Sequence, residues 1–370
     1  MIVGSTAGGL SGIPPALPDF QRLLIVRLGS MGDILHTLPA ATALRNQFPD
    51  ASLGWVVEER WAELLCASSE PRHGPRSGRR PLVDRVHTVD TKAWRKDLLS
   101  MQTWERMAAA ISELRAPRYQ VAVDFQGAAR SAFLARCSGA PVIYGFRQPR
   151  EDVASMLYTR QFTARGAHVV EQNFSLAEAV AGRPIEFRKP ELPRDEAAHG
   201  RWDRWLKQEK IGDFVLLNPG AGWGAKQWPP ERYGQVARTL AGDGLKSLVN
   251  FGPGEETLAR VVEAASQGAA RGVGCSLPEL IALVARARLL IGGDTGPLHL
   301  GATLGIPTVA IFGPTNPARN RPFGTRGVVL RSPSSQTSHA RRRRPDPGLL
   351  EISADDVVRA ARELLGQDRG

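Results

Sequence analysis

Asp33 and Lys226 are the two side chains whose type and surroundings best suit chemistry. Asp33 follows the turn GSMG at positions 29–32, where glycines after a buried strand let a substrate approach a carboxylate that can act as a general base. Asp33 also suits a helix cap, a role worth about 0.5–2 kcal/mol, and His36 is a competing base one turn later. Lys226 lies in GAGWGAKQWP at positions 220–229, a glycine-rich turn that can carry an ammonium group to a diphosphate. An exposed lysine with no ligand is the alternative.

The segment 292–322, GGDTGPLHLGATLGIPTVAIFGPTNPARNRP, has the pattern of an anion-binding site. An apolar strand ends in a glycine turn, and a helix is predicted to begin near Gly296, capped by Thr295 or by Gly296 itself. The N–H groups and the positive dipole end of such a helix bind phosphate. Asp294 and His299 flank this helix start, and we expect them to form hydrogen bonds with a ribose, a phosphate or a donor sugar. Metal ligation is the alternative, but no third ligand lies at a suitable spacing.

Glu255 stands at another predicted strand end, after the turn FGPG at positions 251–254. A carboxylate there can accept hydrogen bonds from ribose hydroxyls. The alternative for Glu255, and for Glu256 beside it, is a carboxylate that stabilises the start of the next helix through its dipole.

Amide and basic side chains form a further group in the first half of the chain. Gln126 and Arg130 follow one predicted strand, and Arg147 and Arg150 follow the next. Arginine guanidinium groups bind carboxylates and phosphates through paired hydrogen bonds. We therefore predict that this group binds an acidic acceptor, although each arginine alone also suits an exposed surface.

The residues above are positioned by strands that alternate with helices along the chain. Runs rich in Val, Ile and Leu predict strands at Arg22–Arg27, Ser52–Glu58, Gln120–Phe125, Pro141–Phe146, Asp213–Asn218, Leu245–Phe251, Arg288–Gly292 and Thr308–Phe312. The alternation predicts an α/β protein with parallel sheets covered by helices on both faces. Because each half opens with a buried strand and a glycine turn, we predict two Rossmann-like domains that face each other across a cleft. Ligands would bind there, at the carboxyl ends of both sheets.

The stretch Gly182–Asp195 contains three prolines and little apolar periodicity, and is the predicted linker. We place a flexible extension at residues 1–19, a first domain at 20–185, and a second domain with a C-terminal helix at 186–370.

The chain of 370 residues carries a formal net charge of +11. Basic residues concentrate in Ser68–Lys96 and Arg341–Arg344, which indicates an acidic partner such as a lipid headgroup, a sugar acid or a nucleic acid. Solvated loops are the alternative. Three widely separated cysteines argue against a disulfide framework or a zinc site, and no apolar run approaches the roughly 20 residues of a membrane span. These cysteines suit a reducing cytoplasm, so we expect a cytoplasmic protein, and the first 19 residues lack the pattern of a secretion signal.

Eight segments together make the chain resemble the lipopolysaccharide heptosyltransferases of glycosyltransferase family 9. They are GSMGDILHTLPA from Gly29, WVVEERWAELL from Trp55, DFQGAARSA from Asp124, RGAHVVEQN from Arg165, NPGAGWGAKQWPPERY from Asn218, FGPGEE from Phe251, the segment 292–322 and PDPGLLEIS from Pro345. The combination is specific, and it is most like the heptosyltransferase I branch of the family. The basic insertion Ser68–Arg80 has no counterpart in these motifs.

The resemblance implies a GT-B fold, an acceptor-binding first domain, a second domain that binds the nucleotide-sugar, and transfer with inversion at the anomeric carbon. It implies Asp33 as the catalytic base. We expect the donor to be bound by Lys226, Glu255, Asp294, Thr295, Gly296 and His299. We expect the acceptor to be bound by Arg27, Ser30, Arg60, Gln126, Arg130 and Arg147. The implied donor is ADP-L-glycero-D-manno-heptose, and the implied acceptor is a Kdo residue of Kdo-lipid A at the anionic cytoplasmic face of the inner membrane, with no metal or other cofactor required.

Three alternatives accompany this interpretation. Heptosyltransferase II or another family 9 enzyme would use a different acceptor. A GT-B-fold nucleotide-sugar epimerase would need further acid and base groups around the donor sugar. Nucleic-acid binding would use the basic segments, but they lack the interleaved aromatic residues that stack on bases, so we expect no nucleic-acid partner.

Overall fold

The described chain forms two parallel β-sheets flanked by helices. The computed structural model describes residues 20–97, 99–338, 340 and 342–366, so the predicted extension at residues 1–19 and the basic residue Arg341 lie outside the described residues. The strands of the first sheet are β1 Arg22–Val26, β2 Ser52–Glu58, β3 Arg85–Val89, β4 Val121–Asp124, β5 Val142–Phe146 and β6 Arg160–Phe162. Those of the second sheet are β7 Phe214–Asn218, β8 Lys246–Phe251, β9 Ala270–Gly274, β10 Leu289–Gly293, β11 Thr308–Phe312 and β12 Gly327–Arg331.

The two sheets have matching strand orders. The first runs β3-β2-β1-β4-β5-β6 and the second β12-β11-β10-β7-β8-β9, with parallel pairing between all neighbours. The prediction of two parallel α/β units is confirmed. All eight predicted strands are present, with ends shifted by no more than a residue or two. The four unpredicted strands, β3, β6, β9 and β12, are the edges of the sheets, where fewer side chains are buried.

Helices connect the strands on both faces of each sheet. In the first half they are α1 Met31–Gln47, α2 Thr91–Lys96, α3 Met101–Arg115, α4 Ala129–Cys137 and α5 Val169–Ala181. In the second half they are α6 Glu196–Gln208, α7 Pro230–Gly242, α8 Glu256–Ala265, α9 Leu277–Val284, α10 Gly296–Leu304, α11 Pro317–Asn320, α12 Pro347–Glu351 and α13 Ala354–Gly366. Short 3-10 helices span Glu59–Leu64, Asp152–Leu157 and Gly224–Lys226.

One hydrophobic cluster joins the two halves. It includes Leu38 of α1 and Leu176 of α5 in the first half, and Leu298 of α10 in the second. Separate clusters fill the outer face of each sheet. Because α1 packs against both α5 and α10, the first helix of the chain lies at the junction of the halves.

The predicted linker is an irregular segment between α5 and α6. Gly182 ends α5 in the left-handed conformation, with φ of 66°, and the Asp195 side chain begins α6 by accepting a hydrogen bond from Ala198 N at 2.9 Å. The exact domain bounds at residues 185 and 186 stay a prediction. Within the described part of the chain, no helix has both the length and the apolar character needed to cross a bilayer.

Candidate active site

The first turns of α1 and α10 meet at the junction of the halves. A Cβ atom added to Gly32 would lie 2.9 Å from His299 Cδ2, and one added to Gly296 would lie 2.6 Å from Met31 Sδ. Only residues without a side chain permit this approach. The GSMGD motif and the DTGPLH motif, far apart in sequence, therefore form one site.

Asp33 is held by two neighbours at the start of α1. Its Oδ1 lies 2.8 Å from Arg27 Nη2, and its Oδ2 accepts hydrogen bonds from Ser30 N at 2.9 Å and Ser30 Oγ at 3.1 Å. Arg27 also donates to Phe125 O. The Asp33 side chain is 37% exposed, whereas that of Arg27 is 8% exposed. The helix-cap role is thus present, and the carboxylate still reaches solvent, as a general base must.

The charge of Asp33 is set by its surroundings. Burial raises the pKa of this carboxyl, but the Arg27 guanidinium and the hydrogen bonds from Ser30 lower it more, and the nearby Arg150 adds to this effect. The net pKa lies below the ordinary value for aspartate, so the group is ionised at neutral pH.

Lys226 ends the 3-10 helix Gly224–Lys226, within the predicted glycine-rich turn and before α7. Its Nζ donates to Asp294 Oδ2 at 2.6 Å and to Asp294 O at 3.1 Å, and it lies 4.5 Å from the centroid of the Trp223 ring. An ammonium group has three N–H donors. Two are used by Asp294, which leaves one for a phosphate oxygen.

Asp294 is the anchor of the second half of the site. Its Oδ1 lies 3.0 Å from His299 Nε2, and its side chain is 5% exposed. Burial raises the pKa of Asp294, but the hydrogen bond and charge of His299, followed by those of Lys226, lower it far below its ordinary value. The buried carboxylate is therefore ionised and orients both neighbours. Direct contact of Asp294 with a donor stays a prediction.

His36 continues this network into the first half. Its Nε2 lies 3.1 Å from His299 Nδ1, within hydrogen-bonding distance, and its carbonyl oxygen accepts from Asn173 Nδ2 at 3.1 Å. Burial first, then the charges of His299 and His168, lower the pKa of His36 well below its ordinary value. His36 is neutral and buried at the junction, which makes it a less accessible base than Asp33.

Thr295 and Gly296 start α10 as predicted, and they reveal two residues that the sequence did not single out. Thr295 occupies the N-cap position without a side-chain cap hydrogen bond. Its Oγ1 instead donates to Gly293 O at 3.2 Å and accepts from Asn218 Nδ2 at 3.3 Å. Asn218 is in turn held by Asn250, whose Nδ2 donates to Asn218 Oδ1 at 2.8 Å. The signal for both was available, since they are amides inside apolar strands.

Glu255 lies at the start of α8 and faces the glycine turn that leads to Lys226. Its Oε2 accepts from Gly252 N at 3.0 Å, and a Cβ added to Gly220 would clash with Glu255 Oε1. The helix-start role is present, and contact with a ribose stays a prediction.

Three of the predicted acceptor residues form hydrogen bonds or an ion pair around the Asp33 turn. Arg27 and Ser30 hold Asp33, and Gln126 Oε1 accepts from Leu28 N at 2.9 Å in the same region. Gln126 Nε2 is buried and has no hydrogen-bond partner among the described residues. Arg60 lies 5.0 Å from the centroid of the Trp61 ring, and Arg130 and Arg147 are exposed; no hydrogen bond or ion pair links these three to the cluster among the described residues. Their roles toward an acceptor stay predictions.

The basic insertion Ser68–Arg80 uses several of its arginines internally. Arg80 is 1% exposed and donates to the carbonyl oxygens of Val83, Pro71 and Pro75. Arg72 pairs with Glu59. These side chains stabilise the loop, which reduces the charge it can offer a partner.

The second basic segment packs on the lysine turn. Arg342 O accepts from Ala225 N at 3.0 Å, and Asp346 N donates to Ala225 O at 3.2 Å. The backbone of this segment therefore helps to hold the turn that carries Lys226. No group of three or more His, Cys, Asp or Glu side chains in the described parts of the chain is arranged to hold a metal ion, and independence from metal stays a prediction.

Comparisons with known proteins give one consistent family. The sequence profile described as glycosyltransferase family 9 (heptosyltransferase) matches residues 107–348. Lipopolysaccharide heptosyltransferase 1 of Pseudomonas aeruginosa is 31% identical over 325 residues, which cover 84% of each chain. The enzyme of the same name from Escherichia coli K12 is 29% identical over 317 residues, covering 85% of this chain and 94% of that protein.

Solved structures similar to this chain include heptosyltransferases as well. The E. coli heptosyltransferase WaaC with ADP is 27% identical, has a TM-score of 0.73, and is matched over 93% of this chain and 99% of that chain. The same enzyme solved with ADP-2-deoxy-2-fluoro heptose is 28% identical with a TM-score of 0.71, over 92% of this chain and 99% of that chain.

Proposed function

The chain belongs to glycosyltransferase family 9, the heptosyltransferase family, has its GT-B fold, and we propose that it transfers L-glycero-D-manno-heptose from ADP-heptose to a Kdo residue of Kdo-lipid A. The reaction would add heptose to the inner core of lipopolysaccharide. The observation that carries the proposal is the meeting of the Asp33 turn with the Asp294–His299 turn across the junction of the halves. This meeting supports the proposal because it would bring the base Asp33 opposite a group that binds the donor phosphates.

The proposed reaction begins with deprotonation of the acceptor. Asp33 takes the proton from a Kdo hydroxyl while that oxygen attacks the anomeric carbon of the donor heptose. The bond from the anomeric carbon to the diphosphate oxygen breaks on the opposite face, so configuration inverts. The transition state has oxocarbenium character, as in glycoside hydrolysis.

Lys226 and the start of α10 would stabilise the leaving ADP. The third N–H of Lys226 is available to a phosphate oxygen because Asp294 holds the other two. Peptide N–H groups at the start of α10 would add the field of the helix dipole. We propose that these groups carry the leaving-group charge without a metal. Chelation with EDTA is expected to leave the rate unchanged, and a loss restored by Mg²⁺ would contradict this.

The chemical nature of the proposed acceptor implies where in the cell the protein would act. Kdo-lipid A is a membrane lipid, so the protein would act as a peripheral protein at the cytoplasmic face of the inner membrane. The net charge of +11 supports attraction to an anionic surface.

The test is a transfer assay with defined substrates. Wild-type protein and an Asp33→Asn variant are incubated with ADP-heptose and Kdo-lipid A, and the lipid is analysed by mass spectrometry. We expect one added heptosyl residue with wild type only. Parallel reactions with UDP- and GDP-sugars test the donor, and an acceptor that already carries one heptose tests the heptosyltransferase II alternative. Transfer only to that second acceptor would contradict the proposal.

A further inference from the structure

A layer of short helices covers the outer face of the first sheet. α2, α3, α4 and the 3-10 helix Asp152–Leu157 follow β3, β4 and β5, and neighbouring members pack against each other. Their inward side chains, such as Leu114 and Leu134, join a hydrophobic cluster with the strands. We call the outward surface of these helices, together with Leu99 between α2 and α3, the outer layer.

The outer layer exposes most of the large apolar side chains on the described surface. Six of the eight such side chains lie in it: Leu99, Met101, Trp104, Phe133, Val153 and Met156. Leu99 is 99% exposed, Met156 80% and Met101 77%. In the whole of α3 only Thr103 and Leu114 are buried. Exposed apolar groups concentrated in this way mark a surface that contacts a protein or a membrane.

The charge of the outer layer distinguishes between these partners. The four helices of the outer layer carry seven Lys or Arg against three Asp or Glu. All seven basic side chains are exposed. Apolar side chains among exposed cations suit a lipid surface with anionic headgroups, where each cation contributes about 1 kcal/mol. Arg72 of the insertion is paired with Glu59, whereas Lys92, Arg95 and Lys96 form no ion pair with another described residue.

The outer layer begins at the same edge of the first sheet as the Asp33 turn. β3 runs into α2 at the carboxyl edge, the same edge at which β1 leads to Asp33. Thr91 at the start of α2 donates to Glu58 at the end of β2. A lipid-anchored acceptor would therefore reach Asp33 from the side on which the outer layer lies.

We propose that the outer layer is the membrane-docking surface, and that Leu99, Met101 and Met156 enter the headgroup region of an anionic bilayer. This inference rests on the proposed function, because it supplies the way in which the enzyme meets a lipid acceptor. The outer layer shares α2 with the basic segment Ser68–Lys96, and it adds exposed apolar side chains to the positive charge.

The test compares full-length wild type with the triple variant Leu99→Ser, Met101→Ser, Met156→Ser. Binding is measured by co-sedimentation with vesicles of phosphatidylglycerol and phosphatidylethanolamine, and with pure phosphatidylcholine vesicles. We expect wild type to bind only the anionic vesicles, and the variant to bind them at least about tenfold more weakly because apolar area no longer enters the interface. Leu350→Ser, which alters an exposed apolar residue of the second half, is the matched control and should bind like wild type.

A second measurement separates this inference from the proposed function. Both proteins are assayed with a water-soluble, deacylated Kdo acceptor, and the triple variant should retain the wild-type rate. If wild type transfers heptose neither to this acceptor nor to Kdo-lipid A, the proposed function is wrong. If it succeeds but the variant binds vesicles equally well, or wild type binds none, the docking surface is wrong. A wild-type dimer that the substitutions convert to a monomer, with no vesicle binding, would assign the surface to a second copy instead.

Discussion

Replacing Lys226 by Met tests whether the lysine serves both stability and donor binding. Lys226 and Asp294 are 12% and 5% exposed and lie 2.6 Å apart. Removing one partner of a buried ion pair costs about 3–5 kcal/mol because the other charge is left uncompensated. Since His299 still contacts Asp294, we expect about 3 kcal/mol, near the lower end of that range. This corresponds to a fall in Tm of roughly 6–12 °C for a domain of this size.

A second substitution separates the two roles. In the double variant Lys226→Met, Asp294→Asn the uncompensated carboxylate is gone, so most of the lost stability should return. Donor binding should not return, because a hydrogen bond to a charged group contributes about 1.5–3 kcal/mol, or roughly 10- to 150-fold in the Kd for ADP. Lys246→Met, at an exposed lysine of the same domain, is the control and should change stability by no more than about 0.5 kcal/mol.

The stability that Asp294 contributes is expected to fall as the pH is lowered. The folded-state pKa of Asp294 lies below its unfolded value, so its contribution to stability is present above the unfolded pKa of about 3.9 and is lost as the pH falls through the folded value. Without Lys226 the pKa of Asp294 rises, and acid protonates the stranded carboxylate. The stability difference between wild type and Lys226→Met should therefore be largest at neutral pH and narrow on acidification.

The measurements are unfolding in urea at neutral and acid pH, and calorimetric titration with ADP. Equal free energies of unfolding for wild type and Lys226→Met at neutral pH would show that Lys226 and Asp294 do not form a stabilising buried ion pair. Full ADP affinity in both lysine variants would remove Lys226 from the donor site.

Three further substitutions probe the first half of the site. Asp33→Asn should abolish transfer while the Kd for ADP stays nearly constant, and normal turnover would refute its role as base. Arg27→Gln should move the acidic limb of the plot of kcat/KM against pH to higher pH, because Arg27 lowers the pKa of Asp33. The active carboxylate form is lost as the pH falls through that pKa. An acidic limb at the wild-type position would contradict this role of Arg27. Gly32→Ala should lower kcat with little change in ADP binding, because its Cβ would lie 2.9 Å from His299 Cδ2 and force the halves apart; a wild-type kcat would mean that this approach is not needed for transfer.

The sequence pattern predicted the central strands of both sheets but not the edge strands. The eight central strands were predictable because a strand buried on both faces and paired on both sides is a continuous apolar run. The edge strands were not, since Arg160–Phe162 has two exposed residues out of three and Ala270–Gly274 contains Arg271 and two glycines. An edge strand is stabilised by pairing with its neighbour, and that partner is distant in sequence.

The sequence by itself determined where Asp33, Lys226 and Thr295 stand in their turns and helices. Glycine, proline and capping residues act within a few positions of the chain, so such local geometry can be read from order alone. It also indicated two similar halves with ligands at the strand ends.

Only the tertiary structure decided which groups meet. It linked Lys226 to Asp294, Asp294 to His299 and His299 to His36, across as many as 263 positions of sequence. It also buried Arg80 inside its own loop, while the apolar side chains of the outer layer stay exposed. Hydrogen bonds and burial depend on the distance in space between groups that folding brings together. That distance cannot be read from the types of residues that are far apart in sequence.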